Sequence, residues 1–429
     1  MYKRFVKILI LSFVFFFVSQ SGVSQSQTAL SLDTCFALLE KNYPLMGKLE
    51  IIDKEKEYSI SNIKKDNFPT FSISADVSYQ SEVPTIAFNS DAGKIFYSPE
   101  NKLRYGVNLD VDQTVFDAGI TKKKRELTSS EYDAEIQNIN IELENVKSTV
   151  CDLFYNAVLV DTYIEQLQLA MDRIVSRKDV VNAAVKNGLA LASDLDLIKV
   201  EIIKLEGHIY ERTIQKKMIA QNLSILLGTN INENTRFAVP EMVINKQFVN
   251  RRPELQLFEV HKNRITAAEN LYKTYWPQVD GFARIGYGNP GYYDFFYEKA
   301  HPYLFIGLKM NWTFWDWDKA RTERKKLNIG KDKLNVDRAL FDMNVKLNSN
   351  SYLDEIERYE MLIKKDRQII NLMESISSSA ESQYNNGEIT FSEYYEKLNS
   401  ELNAKLELNT HEIMLQRAKT KYLLNLGLY

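Results

Sequence analysis

The sequence predicts an α+β membrane protein that is built from long α-helical hairpins and four β-strands and organised as two internal repeats. Three observations support this fold class. Two long stretches, 121–187 and 319–386, together hold one glycine and no proline. Four short segments alternate apolar and polar residues, and the two halves of the chain match in order at an offset of about 199 residues.

The N-terminus predicts a secretory signal peptide over residues 1–24. Lys3 and Arg4 supply positive charge, an apolar core runs from Ile8 to Val18, and small and polar residues follow. This apolar run is shorter than the ~20 residues of a membrane-spanning helix, so a membrane anchor is disfavoured. The mature chain is therefore expected outside the cytoplasm, either soluble or embedded as a β-barrel.

The two stretches that are nearly free of glycine and proline are expected to form very long helices. In 121–187 the apolar residues recur at intervals of three and four, which is the period of a helix. At ~1.5 Å per residue, each stretch forms a helix ~100 Å long. A helix of this length needs packing partners along its whole course, so coiled-coil-like hairpins are expected.

The alternating segments predict strands at about 70–80, 104–116, 278–288 and 303–314. Each has one apolar face and one polar face, and each has roughly the 9–11 residues that cross a bilayer at a tilt. A soluble sheet packed on a helix gives the same alternation, so alternation alone leaves both readings open. If the strands lie in a membrane, several chains must share one barrel, because the smallest spanning barrels have about eight strands and an open edge cannot face lipid.

The ordered match between the halves predicts a duplication. The first repeat covers 25–228, a linker covers 229–250, and the second repeat covers 251–429. Each half reads as helix, strand, loop, strand, very long helix, glycine break and shorter helix. Three residue pairs are separated by 199 positions: Gly188 and Gly387, Gly228 and Gly427, and Asp117 and Asp316.

Composition argues against several functional classes. The net charge of −3 gives no reason to expect nucleic-acid binding. The four histidines lie far apart without metal-ligand spacing, and no sequence signature of a catalytic site stands out. We therefore expect no enzyme, no cofactor and no metal site. Cys35 and Cys151 are too few for a disulfide framework and are interpreted as small buried apolar residues.

Several segments together give the chain a resemblance to a known family. They are the mature start "LSLDTCFALLEKNYP" (30–44), the opening of the second half (251–278), the corners "TVFDAGITKKK" (114–124) and "TFWDWDKARTE" (313–323), and the two glycine motifs. Each motif is loose, but their order is specific and covers nearly the whole mature chain. In this the chain resembles the TolC-like outer membrane efflux proteins, the outer membrane factors of Gram-negative bacteria.

The resemblance implies a homotrimer in which twelve shared strands form one β-barrel in the cell outer membrane. It implies an α-helical tunnel that reaches through the periplasm to a periplasmic adaptor (membrane fusion) protein and an inner-membrane pump. Outer membrane lipid is then a further partner. Such proteins export drugs, small molecules or polypeptides through efflux or type I secretion complexes.

The resemblance also assigns candidate gate residues. Gly188 and Gly387 become the turns at the periplasmic tip, where the helices converge. Glu393 and Glu396, six and nine positions after Gly387, resemble the family's carboxylate ring at the tunnel constriction. Asp194 matches a position that helps to latch the closed tip. The alternative is that all three acids are ordinary solvated helix residues.

One departure from the family concerns the latch. The basic partner expected two positions after Gly387 is Ile389 in this chain. This departure argues against the family's salt-bridge latch at this place and leaves the gate open to another contact.

Aromatic residues at the ends of the strands predict a membrane-interface girdle at the periplasmic end of the barrel. Trp312 fits this girdle by its strand face, whereas packing at the strand-to-helix corner remains an equal alternative for Trp315 and Trp317. A ligand-binding cluster is the weaker reading. The girdle residues are Trp276, Trp312, Trp315, Trp317, Phe68 and Phe116.

Two other functions stay open from the sequence. The first is a non-channel periplasmic structural or adaptor protein with long helical hairpins. The second is an extracellular carbohydrate binder that uses the tryptophans.

Overall fold

The computed structural model describes residues 29–82, 85–98, 101–188, 191–273, 276–289 and 299–429. The predicted signal peptide at 1–24 lies outside the described residues, as does most of the loop between the third and fourth predicted strands. Within the described ranges, no helix combines the length and apolarity that a membrane crossing requires.

Seven helices lie in the described part of the chain. The stretches 121–187 and 319–386 were predicted as very long helices, and this prediction is confirmed because each holds a single helix of 67 residues. The helices are α1 (Leu32–Asn42), α2 (Pro44–Lys65), α3 (Ile120–Lys186), α4 (Ala192–Leu227), α5 (Pro253–Leu271), α6 (Lys319–Asn385) and α7 (Phe391–Leu426).

The two halves hold helices of matching length. The helices α3 and α6 have 67 residues each, and α4 and α7 have 36 each. Within each pair the first residues are 199 positions apart (319 − 120 and 391 − 192). Gly228 and Gly427, which end α4 and α7, both adopt the left-handed conformation that glycine tolerates best. The predicted boundaries of the repeats and the linker remain predictions.

Eight strands are described: β1 (Leu30–Ser31), β2 (Thr70–Tyr79), β3 (Ile86–Ser90), β4 (Gly93–Tyr97), β5 (Leu103–Phe116), β6 (Phe237–Ala238), β7 (Gln278–Asn289) and β8 (His301–Asn311). The four predicted strands correspond to β2, β5, β7 and β8, which form one antiparallel sheet in the order β2-β5-β7-β8. The hairpin of β3 and β4 and the short parallel pair of β1 and β6 were not predicted.

The predicted fourth strand, 303–314, has the wrong bounds. The strand β8 begins two residues earlier and ends at Asn311, which pairs with Gln278 at the start of β7. The residue before Gln278 is Pro277, which has no N–H to donate to a ladder. Because β7 offers no further partner, Trp312 and Phe314 lie beyond the strand.

The helices form one layer of four columns. The helix α3 packs against α4 and α7, and α7 packs against α6. Nearer the sheet, α2 packs against α3, and α5 packs between α3 and α6. The columns therefore run in the order α2 and α4, then α3, then α5 and α7, then α6.

The core of this layer is divided along the helices. One buried cluster joins α1, the middle of α3 and the end of α4, and it includes Cys35 and Cys151. A second lies near the helix turns, and a third joins α6 and α7. Both cysteines are free and fully buried, as predicted, and burial raises the pKa of each thiol to about 12.

Candidate functional site

The four-stranded sheet has one continuous apolar face. The register of the strands brings apolar residues into rows across all four, such as the row of Ile73, Leu109, Ile285 and Leu304. These side chains are exposed, with Ile73 at 78% and Leu304 at 68%. No described helix or strand covers this face, which is unusual for an apolar surface of this size in water.

The opposite face is polar and internally bonded. Asp110 on β5 forms an ion pair with Arg284 on β7 and accepts a hydrogen bond from Ser74 on β2 at 3.3 Å. Nearer the C-terminal end of β5, the Thr114 hydroxyl donates a hydrogen bond to the Asp280 carboxylate at 3.0 Å. These bonds join neighbouring strands on a single face.

Both outer strands of the sheet are open. Within the described ranges, β2 pairs only with β5, and β8 pairs only with β7. An open edge presents unpaired N–H and C=O groups, which form a template for another strand.

The predicted girdle residues all lie at one end of the sheet. Phe68 and Trp276 precede β2 and β7 by two residues, Phe116 ends β5, and Trp312 follows β8. Trp315 and Trp317 contact each other edge to face with ring centroids 5.8 Å apart. Trp276 is 74% exposed, and none of the six is buried. Their role at a membrane interface stays a prediction.

Sharp corners connect the sheet to the long helices. Ala118 and Gly119 before α3 and Trp317 and Asp318 before α6 all have positive φ. The residue before each pair is an aspartate whose carboxylate accepts hydrogen bonds from the first N–H groups of the helix. Asp117 accepts from Gly119 at 2.8 Å and Thr121 at 2.7 Å, and Asp316 accepts from Ala320 at 2.8 Å. These aspartates satisfy N–H groups that a helix start leaves unpaired.

The far ends of the long helices turn at the two predicted glycines. Gly188 and Gly387 both have φ of +73° and directly follow the C-caps of α3 and α6. The next helices start only a few residues later, so each half ends in a tight helical hairpin. The two hairpin turns meet through the second buried cluster, which contains Phe391, Tyr394 and Leu398. We call this region, 170–205 and 376–402, the tip.

Two of the three predicted gate acids cap helices. Glu393 accepts hydrogen bonds from the backbone N–H of Thr390 at 2.8 Å and from its hydroxyl at 2.9 Å. Both bonds lower the pKa of Glu393, and the bond from the backbone N–H has the larger effect. Asp194 accepts from the backbone N–H of Leu191 at 3.4 Å, in the same position of the other hairpin. The sequence analysis missed this role, although the spacing of Thr390 and Glu393 is a capping box.

Glu396 is the third gate acid and is free of such a role. It is exposed, and its carboxylate lies 3.2 Å from the ammonium group of Lys397. Glu393, Glu396 and Ile389 line one groove of about 470 Å³ between α6 and α7.

The contacts that hold the two hairpins together were not predicted. Ile389, which stands where the family has a base, packs against the apolar cluster of the tip. Instead, Arg177 on α3 forms an ion pair with Glu381 on α6 and lies over the ring of Tyr394 on α7, 5.6 Å from its centroid. A second link joins α7 to α4, where the Tyr395 hydroxyl donates to Glu201 at 2.9 Å. No spacing in the sequence pairs such distant residues.

The two outer columns of the helical layer carry exposed apolar stripes. On α4 and on α6 the exposed apolar residues recur at helical spacing and fall on one face of each helix. The stripe on α4 consists of Val200, Ile203, Tyr210, Ile214, Met218 and Ile225. The stripe on α6 consists of Ile329, Val336, Leu340, Met343, Leu347, Met361, Ile369, Leu372 and Ile376. Exposed Ile51 and Tyr58 on α2 belong to the same outer column as α4.

In the part of the chain that the structure describes, no group of three or more His, Cys, Asp or Glu side chains is placed to hold a metal ion.

Comparison with solved structures identifies the fold. No protein-family model matches the chain, and no curated protein matches it in sequence. The outer membrane channel CmeC of Campylobacter jejuni matches with a TM-score of 0.67 at 14% identity, over 92% of this chain and 85% of that one. The open state of the outer membrane channel MtrE of Neisseria gonorrhoeae gives 0.66 at 12%, over 92% and 89%. The outer membrane protein VceC of Vibrio cholerae gives 0.65 at 12%, over 92% and 96%.

At these identities the likeness concerns the fold. This chain has the fold of solved outer membrane channels, and the resemblance to TolC-like outer membrane factors is confirmed at that level.

Proposed function

We propose that this chain is an outer membrane channel-tunnel that exports small molecules or polypeptides from a periplasm-spanning efflux or type I secretion complex. One observation supports this function above the others. Both the sheet and the helical layer of the single chain end in open edges, which further copies of the same chain would complete.

The sheet edges favour a shared barrel. Four strands with an exposed apolar face cannot close on themselves, because the smallest spanning barrels have about eight strands. In lipid, unpaired edge groups cost several kcal/mol each, so both edges must be paired. A second copy can pair its β2 with β8 of the first, and the polar face with Asp110 and Arg284 then lines a lumen.

The helical layer favours the same arrangement. Its outer columns are α2 with α4 on one side and α6 on the other, and both carry apolar stripes. The edge formed by the first half of the chain thus differs from the edge formed by the second half. Such head-to-tail interfaces close into a ring when the rotation from one copy to the next is a whole fraction of a turn. Three copies give the homotrimer and the twelve strands that the family resemblance implies.

The partners follow from this arrangement. The apolar sheet face and the girdle residues contact outer membrane lipid, and the helical tube extends into the periplasm. The tip, at the far end of that tube, meets a periplasmic adaptor protein and, through it, an inner-membrane pump. No nucleic acid is involved.

The tip is the proposed constriction. In a trimer, Glu396 and its copies place carboxylates around the tunnel end, where they attract cations and repel anions. Glu393 and Asp194 contribute negative charge, but their first task is to cap α7 and α4. Arg177 and Tyr395 take over the latch role that the base missing at Ile389 would have had.

Membrane fractionation followed by planar-bilayer recording tests the proposal. The full chain is expected to fractionate with the outer membrane, to require detergent for extraction, and to give single-channel conductance that multivalent cations block. A protein that stays soluble as a monomer and conducts nothing would overturn the proposal and favour the periplasmic structural or adaptor protein.

A further inference from the structure

Two aromatic rings on the polar face of the sheet lie across glycines of the neighbouring strand. Tyr303 on β8 is directly opposite Gly286 on β7, and Phe282 on β7 is directly opposite Gly307 on β8. Side chains in a sheet normally stand roughly perpendicular to it. These two rings instead fold down over positions where no side chain exists.

At Gly286 the contact spans three strands. Asn108 on β5, Gly286 and Tyr303 form one row across the sheet. The Tyr303 hydroxyl donates a hydrogen bond to the Asn108 side-chain oxygen, so the phenol passes over Gly286. A Cβ at Gly286 would overlap both the ring of Tyr303 and the Asn108 oxygen.

At Gly307 the space is taken by Phe282. A Cβ there would lie 2.6 Å from Cζ and 3.0 Å from Cε1 of the Phe282 ring, closer than side chains pack. Phe282 also contacts Phe305, with ring centroids 5.4 Å apart. The rings therefore form an aromatic patch that lies flat on the polar face of the sheet, beside the ion pair of Asp110 and Arg284.

The corresponding positions of β2 and β5 in the first half hold no such rings. By the offsets of the strands, Phe282 and Gly307 correspond to Ser74 and Asn108 (282 − 74 = 208; 307 − 108 = 199), which also pair with each other. Gly286 and Tyr303 correspond in the same way to Ser78 and Arg104. Among these corresponding positions of the four strands, the bulky rings occur on β7 and β8, and each faces a glycine.

We infer that Gly286 and Gly307 hold Tyr303 and Phe282 flat against the barrel wall and thereby set the bore of the channel. The inference rests on the proposed function, in which the polar face lines the lumen. Any side chain at either glycine lifts a ring away from the wall. In a ring of copies, each copy then projects an aromatic group into the lumen at the same level, so the largest solute that passes becomes smaller.

Single-channel recording of glycine variants tests this inference. Gly307→Ala and Gly286→Ala are each expected to lower the conductance and the size of polyethylene glycol that enters the pore. Gly281→Ala is the matched control, because Gly281 lies on β7 like Gly286 but on the apolar face. The atoms nearest to a Cβ there belong to the Val115 and Leu308 side chains and a backbone oxygen, at 3.3 Å or more. It is expected to conduct as the unchanged protein does.

A second variant separates narrowing from misfolding. Gly307→Ala combined with Phe282→Ala removes the ring that the new methyl group displaces, so assembly and conductance return to at least the original level. Glycine variants that assemble and keep the original conductance and size limit would overturn the inference, as would a double variant that stays narrowed. If the unchanged protein conducts nothing, the proposed channel function itself fails.

Discussion

The apolar stripe on α4 makes a quantitative prediction about assembly. Ile203 lies near the end of this stripe that is closest to the tip and is 66% exposed in the single chain. Burying a whole isoleucine side chain stabilises by about 1.5–3 kcal/mol, so the remaining two-thirds is worth about 1–2 kcal/mol at each interface. A ring of three copies has three such interfaces, which gives about 3–6 kcal/mol per ring. We expect Ile203→Ala, which keeps only the Cβ of this side chain, to make assembly of the ring less favourable by up to this amount.

The change corresponds to a large shift in the dissociation equilibrium. Because 1.4 kcal/mol is a factor of ten, the equilibrium constant for dissociation of the ring should rise about 10²- to 10⁴-fold. Sedimentation of the detergent-solubilised protein over a dilution series measures this shift. Ile203→Asp, which also places a charge in the contact, should leave monomers at every concentration.

The control is an exposed apolar residue away from the edge. Val180 is 57% exposed, but it lies on α3, an inner column of the layer. Val180→Ala is expected to assemble as the unchanged protein does. If Ile203→Asp remains trimeric, the stripe is not an interface and the reasoning from the open edges is wrong.

Three further predictions concern the tip. Bonds from Thr390 hold the pKa of Glu393 below its ordinary 4.5, so the cap is fully present above pH 4.5 and is lost as the pH falls through the lowered pKa. Protection of the first amides of α7 against hydrogen exchange, taken relative to the intrinsic exchange rate at each pH, should therefore fall only at lower pH, and Glu393→Ala should remove that dependence. A protection profile that is unchanged in the variant would contradict the cap. Arg177→Ala removes an ion pair and a ring contact worth together about 1–2 kcal/mol and should raise the fraction of open channels, whereas an unchanged open fraction would exclude Arg177 as a latch. Glu396→Ala should weaken block by multivalent cations while the melting temperature stays constant, and undiminished block would remove it from the constriction.

The sequence is a good guide to the helices and strands because their signals are local. The near-absence of glycine and proline predicts the helices at 121–187 and 319–386 to within one residue at each end. Alternation likewise places the four main strands to within three residues at either end. The error at the end of β8 arose because alternation continues to Phe314, whereas the strand ends where Pro277 leaves its partner without a donor.

The sequence patterns do not predict contacts between residues that are far apart in the chain. The link from Arg177 to Glu381 joins residues 204 positions apart, and neither residue stands in a recognisable motif. The stripes on α4 and α6 follow helical spacing, but only the packing shows which apolar face of a long helix remains exposed. The hairpin of β3 and β4 lies in a segment that was treated as a loop, because its strands have only five residues each.

The central claim is that copies of this chain close one barrel by pairing β8 with β2. Within one chain these strands are separated by β5 and β7, so they lie roughly 14 Å apart, beyond the reach of a disulfide. Ile306→Cys can be combined in turn with Ile73→Cys, Ala75→Cys or Val77→Cys, which lie on the same face and sample the possible registers; the natural cysteines are buried. The account predicts that at least one combination oxidises to covalently linked chains that end at three copies on a non-reducing gel. Unlinked monomers from all three combinations, with the new thiols reactive, would contradict it.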